Sequence, residues 1–299
     1  MKFNNNSYIK STLLSSLIII LSVTNCYSQF DFEIFKLNKI IDETSGLELI
    51  NSKLITHNDS GGMPRIFVFE NFNKNNFNLK IFNINNAINN DWEDMCSDND
   101  FLYIADTGNN FGNRKNLKIY KTNKNFKLVD SISISYNSQY NFDSNYINEY
   151  DAEAIVSFGS NLLLFSKNRK NETCNIYKIP KNKKKVLLNP VDAINFGSLI
   201  TGADYNPEIG LLVMSGYSKN LKKQFLYFVP NFKIPISEDK VFKIKLPYEN
   251  VQFESVKIIS NNEIIMTSEN ESSGSPFIIK IHINSGLFNE NGSFILDKK

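Results

Sequence analysis

The sequence predicts an all-β repeat fold, a β-propeller of about five blades. Three observations predict it. Short polar motifs recur at near-constant intervals. The same order of short apolar runs follows each motif. No segment carries the 3.6-residue apolar period of a long amphipathic helix. The motifs are Glu43-Thr-Ser-Gly-Leu47, Asp91-Trp-Glu-Asp-Met95, Asp151-Ala-Glu-Ala-Ile155, Thr201-Gly-Ala-Asp-Tyr205 and Gln252-Phe-Glu-Ser-Val256. Aligned on their third positions, Ser45, Glu93, Glu153, Ala203 and Glu254, they stand 48, 60, 50 and 51 residues apart.

Each motif opens a first strand. The second strands are predicted at Leu54 to Asn58, Leu102 to Asp106, Leu163 to Lys167, Leu212 to Gly216 and Ile264 to Ser268. After a turn rich in Gly, Asn and Ser, third strands follow at Ile66 to Phe69, Leu117 to Tyr120, Ile176 to Ile179, Phe225 to Phe228 and Phe277 to Ile281. Fourth strands are legible at Phe77 to Ile84, Ser131 to Tyr136 and Val241 to Leu246. One such unit cannot bury its apolar faces alone, so the units must pack on one another. A β-sandwich would also supply many short strands, but it has no need of a matched motif every fifty residues. The longer second interval leaves a sixth, degenerate blade open. Phe30 to Ile41 and Gly292 to Leu296 both read as strands, and one of them is expected to complete the last blade.

The N-terminus sets the compartment. Lys2 and Lys10 form a basic start, Leu13 to Val23 is an apolar run, and Cys26-Tyr27-Ser28 places small residues at −3 and −1 before Gln29. This is the layout of a secretory signal, so cleavage is expected near Ser28/Gln29, leaving residues 29–299 as one propeller domain in the periplasm or outside the cell. The apolar run is about half the roughly 20 residues that a membrane span needs, and no other stretch is apolar enough to cross. A lipoprotein acylated at Cys26 is the alternative, against which Asn25 speaks. The full chain has 33 basic and 31 acidic side chains. Lys2 and Lys10 leave with the signal and no acid does, which leaves 31 of each. A balanced chain has no global field to draw it to nucleic acid or to an anionic membrane. The basic run Lys181–Lys185 lies between two predicted strands and reads as a solvated turn. Cys96 and Cys174 remain, with Cys96 expected as a buried thiol.

Propeller inner strands line a central channel, so side chains at matched positions converge. The alignment puts Glu93, Glu153 and Glu254 in one column and Asp94 and Asp204 in the next, with Asp91 and Asp151 two residues ahead of the first. The second-strand ends add Asn58, Asp59, Asp106, Asn109, Lys167 and Glu269. So many carboxylates in one funnel must be paired with cations, protonated or metal-bound. Oxygen-rich clusters suit a hard cation such as Ca²⁺, with Glu93, Glu153, Asp204 and Glu254 as expected metal ligands. The competing reading makes the same acids acceptors for backbone N–H groups, stapling one blade to the next. Asn58, Asp59, Asp106, Asn109 and Lys167 are the expected ligand-binding positions. His57, in His57-Asn-Asp-Ser-Gly-Gly62, is the candidate general base, expected to point into the funnel with Asp59. Its glycines equally mark a tight turn. Lys167 and Arg169 can neutralise acids around them. Trp92 can offer a stacking face for a sugar or pack between blades.

At His57 to Gly61, Asp91 to Asp94, Asp106 to Asn110, Asp151 to Ala154, Thr201 to Asp204 and Glu254-Ser255 the chain resembles a group of exported bacterial β-propeller proteins, largely uncharacterised. The resemblance covers nearly all of the mature chain. It implies the fold and export, and names no reaction. Some of that group carry an added C-terminal sorting domain, which is not expected after Lys299. A looser likeness, of architecture and acidic funnel alone, is to Ca²⁺-dependent propeller lactonases and phosphotriesterases. The leading expectation is a binding or scaffold propeller for a cation, a small polar ligand or a cell-surface partner. The alternative is a divalent-metal-dependent hydrolase of esters, lactones or sugar derivatives, and a third reading leaves the funnel filled by its own ion pairs.

Overall fold

A computed structural model describes residues 29–72, 78–269 and 275–296. The signal segment, residues 1–28, lies outside the described residues. The first strand, β1 (Phe30–Lys36), belongs to the last blade. Blade one is β2 (Thr44–Ile50), β3 (Lys53–Asn58), β4 (Arg65–Glu70) and β5 (Asn78–Asn83). Blade two is β6 (Trp92–Ser97), β7 (Phe101–Asp106), β8 (Lys118–Asn123) and β9 (Leu128–Tyr136). Blade three has β10 (Ala152–Phe158), β11 (Asn161–Ser166) and β12 (Thr173–Pro180). The chain then crosses to lay β13 (Lys185–Leu188) parallel to β9 and returns as β14 (Pro190–Asn195) on β12. Blade four is β15 (Leu199–Asn206), β16 (Leu211–Tyr217), β17 (Gln224–Val229) and β18 (Phe242–Leu246). Blade five is β19 (Phe253–Ser260), β20 (Glu263–Ser268) and β21 (Phe277–Ile283), completed by β1.

The ring therefore has five blades. β1 pairs with β21 from Phe30↔Ile283 to Lys36↔Phe277, so the N-terminal strand closes the circle. The long interval between blades two and three contains no strand and is a loop, which removes the sixth blade. Most inner and second strands are buried on both faces, because each blade packs between two others. Their sequences are accordingly continuous apolar runs rather than alternating ones. Trp92, Ile55, Ile66, Met95 and Ile104 fill the space between blades one and two, and Leu163, Phe165, Leu212, Met214 and Tyr227 that between three and four. Each such side chain contributes roughly 1.5–3 kcal/mol on burial. The apolar interfaces thus hold the ring, and the polar residues of the motifs are free for other roles. Trp92 is fully buried there, its Nε1 donating to the Ile88 carbonyl at 3.0 Å. Cys96 and Cys174 are both buried free thiols. The basic run is less solvated than expected, since Lys181 bonds Asp98 and Ser157 at 2.8 Å.

Every inner strand carries an unpaired residue, a β-bulge, in its first half. The register skips Gly46 in β2, Glu93 in β6, Glu153 in β10, Thr201 in β15 and Glu254 in β19. A bulge bends the strand and re-aims the extra side chain. The structural column is therefore Gly46, Glu93, Glu153, Thr201 and Glu254. This corrects the motif alignment by one residue in blade one and two in blade four. Asp94 and Asp204 do not share a level. In blade one the bulge position is closed to a side chain: Gly46 has φ +60°, and a Cβ there would lie 2.7 Å from His57 Nε2.

Asp94, next to the bulge of blade two, is a hub near the axis. Its carboxylate accepts from the backbone N–H groups of Met95 (2.8 Å), Ile155 (3.0 Å) and Ala203 (3.4 Å), joining blades two, three and four. Removing it strands buried donors, each costing about 1–3 kcal/mol. Asp94→Ala is expected to lower the unfolding free energy by about 3 kcal/mol in a urea titration, and Asp94→Asn, which keeps one acceptor oxygen, by about half that. Equal losses for the two variants would contradict the hub.

Candidate functional site

The inner strands begin at one mouth of the ring, and the acids of the motifs gather there. Asp59 comes from the turn after β3, Asp91 and Glu93 from the start of β6, Asp151 and Glu153 from the start of β10. Single oxygens of Asp59, Asp91 and Glu93 all lie within 4.8 Å of one another, and so do those of Glu93, Asp151 and Glu153. Glu93 belongs to both groups. Its carboxylate is 3% exposed, and Oε1 has no hydrogen-bond partner; Asp59 Oδ1 is likewise buried without one. Gly108 makes the close approach possible: a Cβ there would stand 1.9 Å from Glu93 Oε1 and 2.5 Å from Asp91 Oδ2.

Three cations enter the same mouth. Lys167 Nζ contacts Glu153 Oε2 at 2.9 Å, and the Arg169 guanidinium pairs with Asp151 and stands 3.9 Å from Glu153 Oε1. Arg114 bonds Asp106 at 2.7 Å and the Gly108 carbonyl at 2.5 Å, and lies 3.8 Å from Asp91. Glu254 and Glu269 add their charges to those around Asp59, and Glu254 also acts on Glu153 and Lys167. The carboxyl groups of Asp59, Asp91, Glu93, Asp106, Asp151 and Glu153 thus lie with the cations Arg114, Lys167 and Arg169. The half with Asp151 and Glu153 is paired. The half with Asp59, Asp91 and Glu93 is short of positive charge.

The titration of these groups follows from that imbalance. Burial, then the Asp59 and Glu153 charges, push Glu93 well above the carboxylate range, and burial with Asp91 does the same to Asp59. Burial and Asp151 push Asp91 up to about 6 against the pull of Arg114. Burial pushes Glu153 to about 8 even though Lys167 opposes it. Asp151 is the exception: Arg169 and Lys167 overcome its burial and hold it low.

Sequence-predicted positions divide into two sets. Glu93, Glu153, Glu254, Asp59 and Lys167 meet at the mouth. Asp106 and Asn109 stand beside it as struts. Asp106 accepts from the Asp91 N–H, Asn90 and Arg114, while Asn109 N–H donates to Asp151 at 2.6 Å and its amide to the Tyr150 carbonyl at 3.1 Å. Asn58 is turned away, donating to the Ile40 carbonyl at 3.0 Å and to Asp42 at 3.3 Å. Asp204 lies apart from the cluster. Lys257 bridges it (2.8 Å) to Glu48 (2.5 Å), tying blades one, four and five, and it accepts from Ile258 N–H at 2.9 Å. These contacts make it a staple beside a cavity of about 740 Å³ lined by Glu48, Asp98, Lys181 and Lys257. His57 does not face the funnel. It is fully buried, edge-on to Trp92 at 5.5 Å, with Nδ1 against the Asn58 carbonyl, and burial lowers its pKa to about 4. Arg114 and Tyr217, whose ring lies 5.3 Å from Lys167 Nζ, were not singled out from sequence. Gly108 in Asp106-Thr-Gly-Asn-Asn110 was the legible signal for close backbone approach.

The chain matches no protein-family model and no curated protein. Among solved structures it is similar to the exo-β-1,3-galactanase of Clostridium thermocellum, with a TM-score of 0.52 and 9% identity over 78% of this chain and 57% of that one. It is also similar to an exo-β-1,3-galactanase from Phanerochaete chrysosporium solved with β-1,3-galactotriose, with a TM-score of 0.50 and 9% identity over 85% of this chain and 62% of that one. The chain spans about three fifths of the length of these enzymes, and at such identity the likeness shows the propeller fold alone.

A carboxyl whose pKa is raised by folding holds its proton longer in the native state, so its contribution is complete below the unfolded pKa and is lost as pH rises through the folded one. For Asp91 that window runs from 3.8 to about 6, and for Glu153 from 4.5 to about 8. The cation-free protein is therefore expected to melt at lower temperature at about pH 9 than at about pH 5, measured in EDTA. A melting temperature that rises across that range would contradict the assignment.

Proposed function

We propose that the protein is an exported binding propeller whose funnel mouth holds a hard divalent cation, Ca²⁺ first, together with a small polar ligand or a cell-surface partner. The observation that carries this reading is the partnerless, buried oxygen of Glu93 at the junction of two carboxylate groups. An all-oxygen donor set suits Ca²⁺, Mg²⁺ or Mn²⁺ and lacks the nitrogen and sulfur that favour zinc. Asp59, Asp91 and Glu93 are the ligands, because Asp151 and Glu153 already have Arg169 and Lys167. Ca²⁺ takes six to eight oxygens, so three carboxylates leave positions for water or for ligand hydroxyls. The signal layout of residues 1–28 supports export.

A second reading, a hydrolase of esters, lactones or sugar derivatives, is favoured by one observation. Glu153, pushed to about 8, stands beside Asp151, which is held low, so a protonated and an ionised carboxyl lie side by side. That is the arrangement acid–base chemistry requires. The galactanase neighbours make a galactoside the first substrate to try.

A thermal melt of residues 29–299 in Ca²⁺ and in EDTA separates a cation site from a self-neutralised funnel. At 100 times its dissociation constant Ca²⁺ stabilises by about 2.7 kcal/mol. Glu93→Gln is expected to weaken Ca²⁺ by at least about tenfold, whereas Glu153→Gln, which breaks the contact with Lys167, costs about 1–3 kcal/mol of stability and leaves Ca²⁺ in place. Unchanged Ca²⁺ affinity in Glu93→Gln would overturn the assignment. Turnover of an ester, lactone or galactoside that Glu153→Gln abolishes would establish the second reading.

A further inference from the structure

The crossing that lays β13 on β9 also builds a cavity. The segment from Pro180 to Lys184 leaves blade three and passes to blade two on the face opposite the funnel mouth, where β10 turns into β11. It is tied down on the way. Lys181 N–H donates to the Ser160 carbonyl at 3.1 Å, Lys183 N–H to the Pro180 carbonyl at 3.2 Å, and Ser133 N–H to the Lys184 carbonyl at 2.9 Å. Beside it lies a cavity of about 320 Å³ lined by Lys121, Ser160, Asn161, Pro180, Lys181 and Asn182. These residues carry two ammonium groups, one hydroxyl and two amides, and no carboxylate. The donors are held in place but not exhausted. Lys181, its side chain 13% exposed, directs two of its three N–H bonds to Asp98 and Ser157, both at 2.8 Å. Lys121 forms no ion pair among the described residues, and its ammonium lies 3.8 Å from the centroid of the Phe101 ring. Asn161 Nδ2 donates to Ser160 Oγ at 3.3 Å, which leaves the hydroxyl its own proton to give. The neighbouring carboxylates stand outside the lining. Asp98 takes Lys181, the Tyr103 hydroxyl and two backbone N–H groups, and Asp130, which also acts on Lys121, takes Lys184.

The geometry points to a subsite for a tetrahedral oxyanion, a phosphate or sulfate group that is free or ends a small ester. It lies on the other face from the cation site and does not depend on it. Three features select this class. A lining of donors with two ammonium groups and no carboxylate attracts an anion and repels a cation. Lysines are compact point charges that suit a tetrahedral oxyanion, whereas a carboxylate is matched by the planar fork of arginine, and no arginine lines the cavity. A volume of about 320 Å³ stands at the low end for small-molecule sites, so the ligand is small. The run Lys181–Lys185, which reads from sequence as a solvated turn, thereby supplies one wall of a site. Lys183 in that run is exposed, has no ion pair among the described residues and adds to the local positive potential.

The test is calorimetric titration of the chain from residue 29 onward with inorganic phosphate, sulfate, glycerol phosphate and acetate, in low-salt Hepes with EDTA so that Ca²⁺ plays no part. At least one of the three tetrahedral anions is expected to bind about tenfold more tightly than acetate. Lys121→Gln, which has no ion pair to lose, is expected to weaken that binding by about tenfold with the melting temperature unchanged. Lys233→Gln, exposed between β17 and β18 of blade four, is expected to leave it unchanged. Glycerol phosphate binding more tightly than inorganic phosphate supports the subsite with an ester as its ligand, and the reverse order supports it with the free anion. No binding of any tetrahedral anion overturns the subsite, and so does acetate binding as tightly, or affinity indifferent to Lys121→Gln. An equal loss in Lys233→Gln overturns it too, because it marks diffuse attraction to surface lysines.

Discussion

Closing five sheets into a ring forces their inner strands onto one axis, and the rest of the structure answers to that convergence. β1 on β21 completes the circle, and the apolar interfaces between blades fix its radius. Whatever the inner strands carry must then fit together. At one level the chain resolves this with matched partners: Asp94 takes backbone donors from three blades, and Lys257 sits between Glu48 and Asp204. At the funnel mouth it does not. A buried carboxylate without donor or counter-charge is costly unless it takes up a proton or a cation.

The bulges explain why the acids meet at all. A regular strand shows alternate residues to opposite faces, so neighbours in the motifs would point apart. Skipping Glu93 and Glu153 in the register bends each inner strand at its start and brings the two side chains together, Glu93 in the space that Gly108 leaves open. Arg114 and Arg169 arrive from turns outside the inner strands and set how much of the charge is cancelled. Arg169, with Lys167, neutralises the Asp151 side, whereas Arg114 is bonded to Asp106 and stands 3.8 Å from Asp91, which leaves the Asp59 side deficient. The asymmetry, not the number of acids, makes one half of the mouth a candidate cation site.

The repeat made the blades legible, since apolar runs buried on both faces leave a strong trace and the polar motifs mark their starts. The convergence of Glu93, Glu153 and Glu254 was legible for the same reason. The position of Asp204 was not, because an unpaired bulge residue is invisible in spacing. The acid of Thr201-Gly-Ala-Asp204 stands three residues beyond its bulge, whereas Asp94 stands one beyond. His57 misled through chemistry. Its residue type suggests a base, but Gly46 opens a buried slot against Trp92 that receives the ring. Arg114 and Tyr217 carry no motif of their own and are brought in by the fold.

The central claim is that the mouth accepts one hard cation through Glu93. Crystals of the chain from residue 29 onward soaked in Mn²⁺ test it most directly, through the anomalous signal of the ion. The account predicts a single strong peak within about 2.5 Å of the Glu93 carboxylate, with Asp59 and Asp91 as its other protein ligands. A peak between Glu48 and Asp204 in place of Lys257, or a mouth where Glu93 instead takes a bond from Lys167 or Arg169, would contradict it.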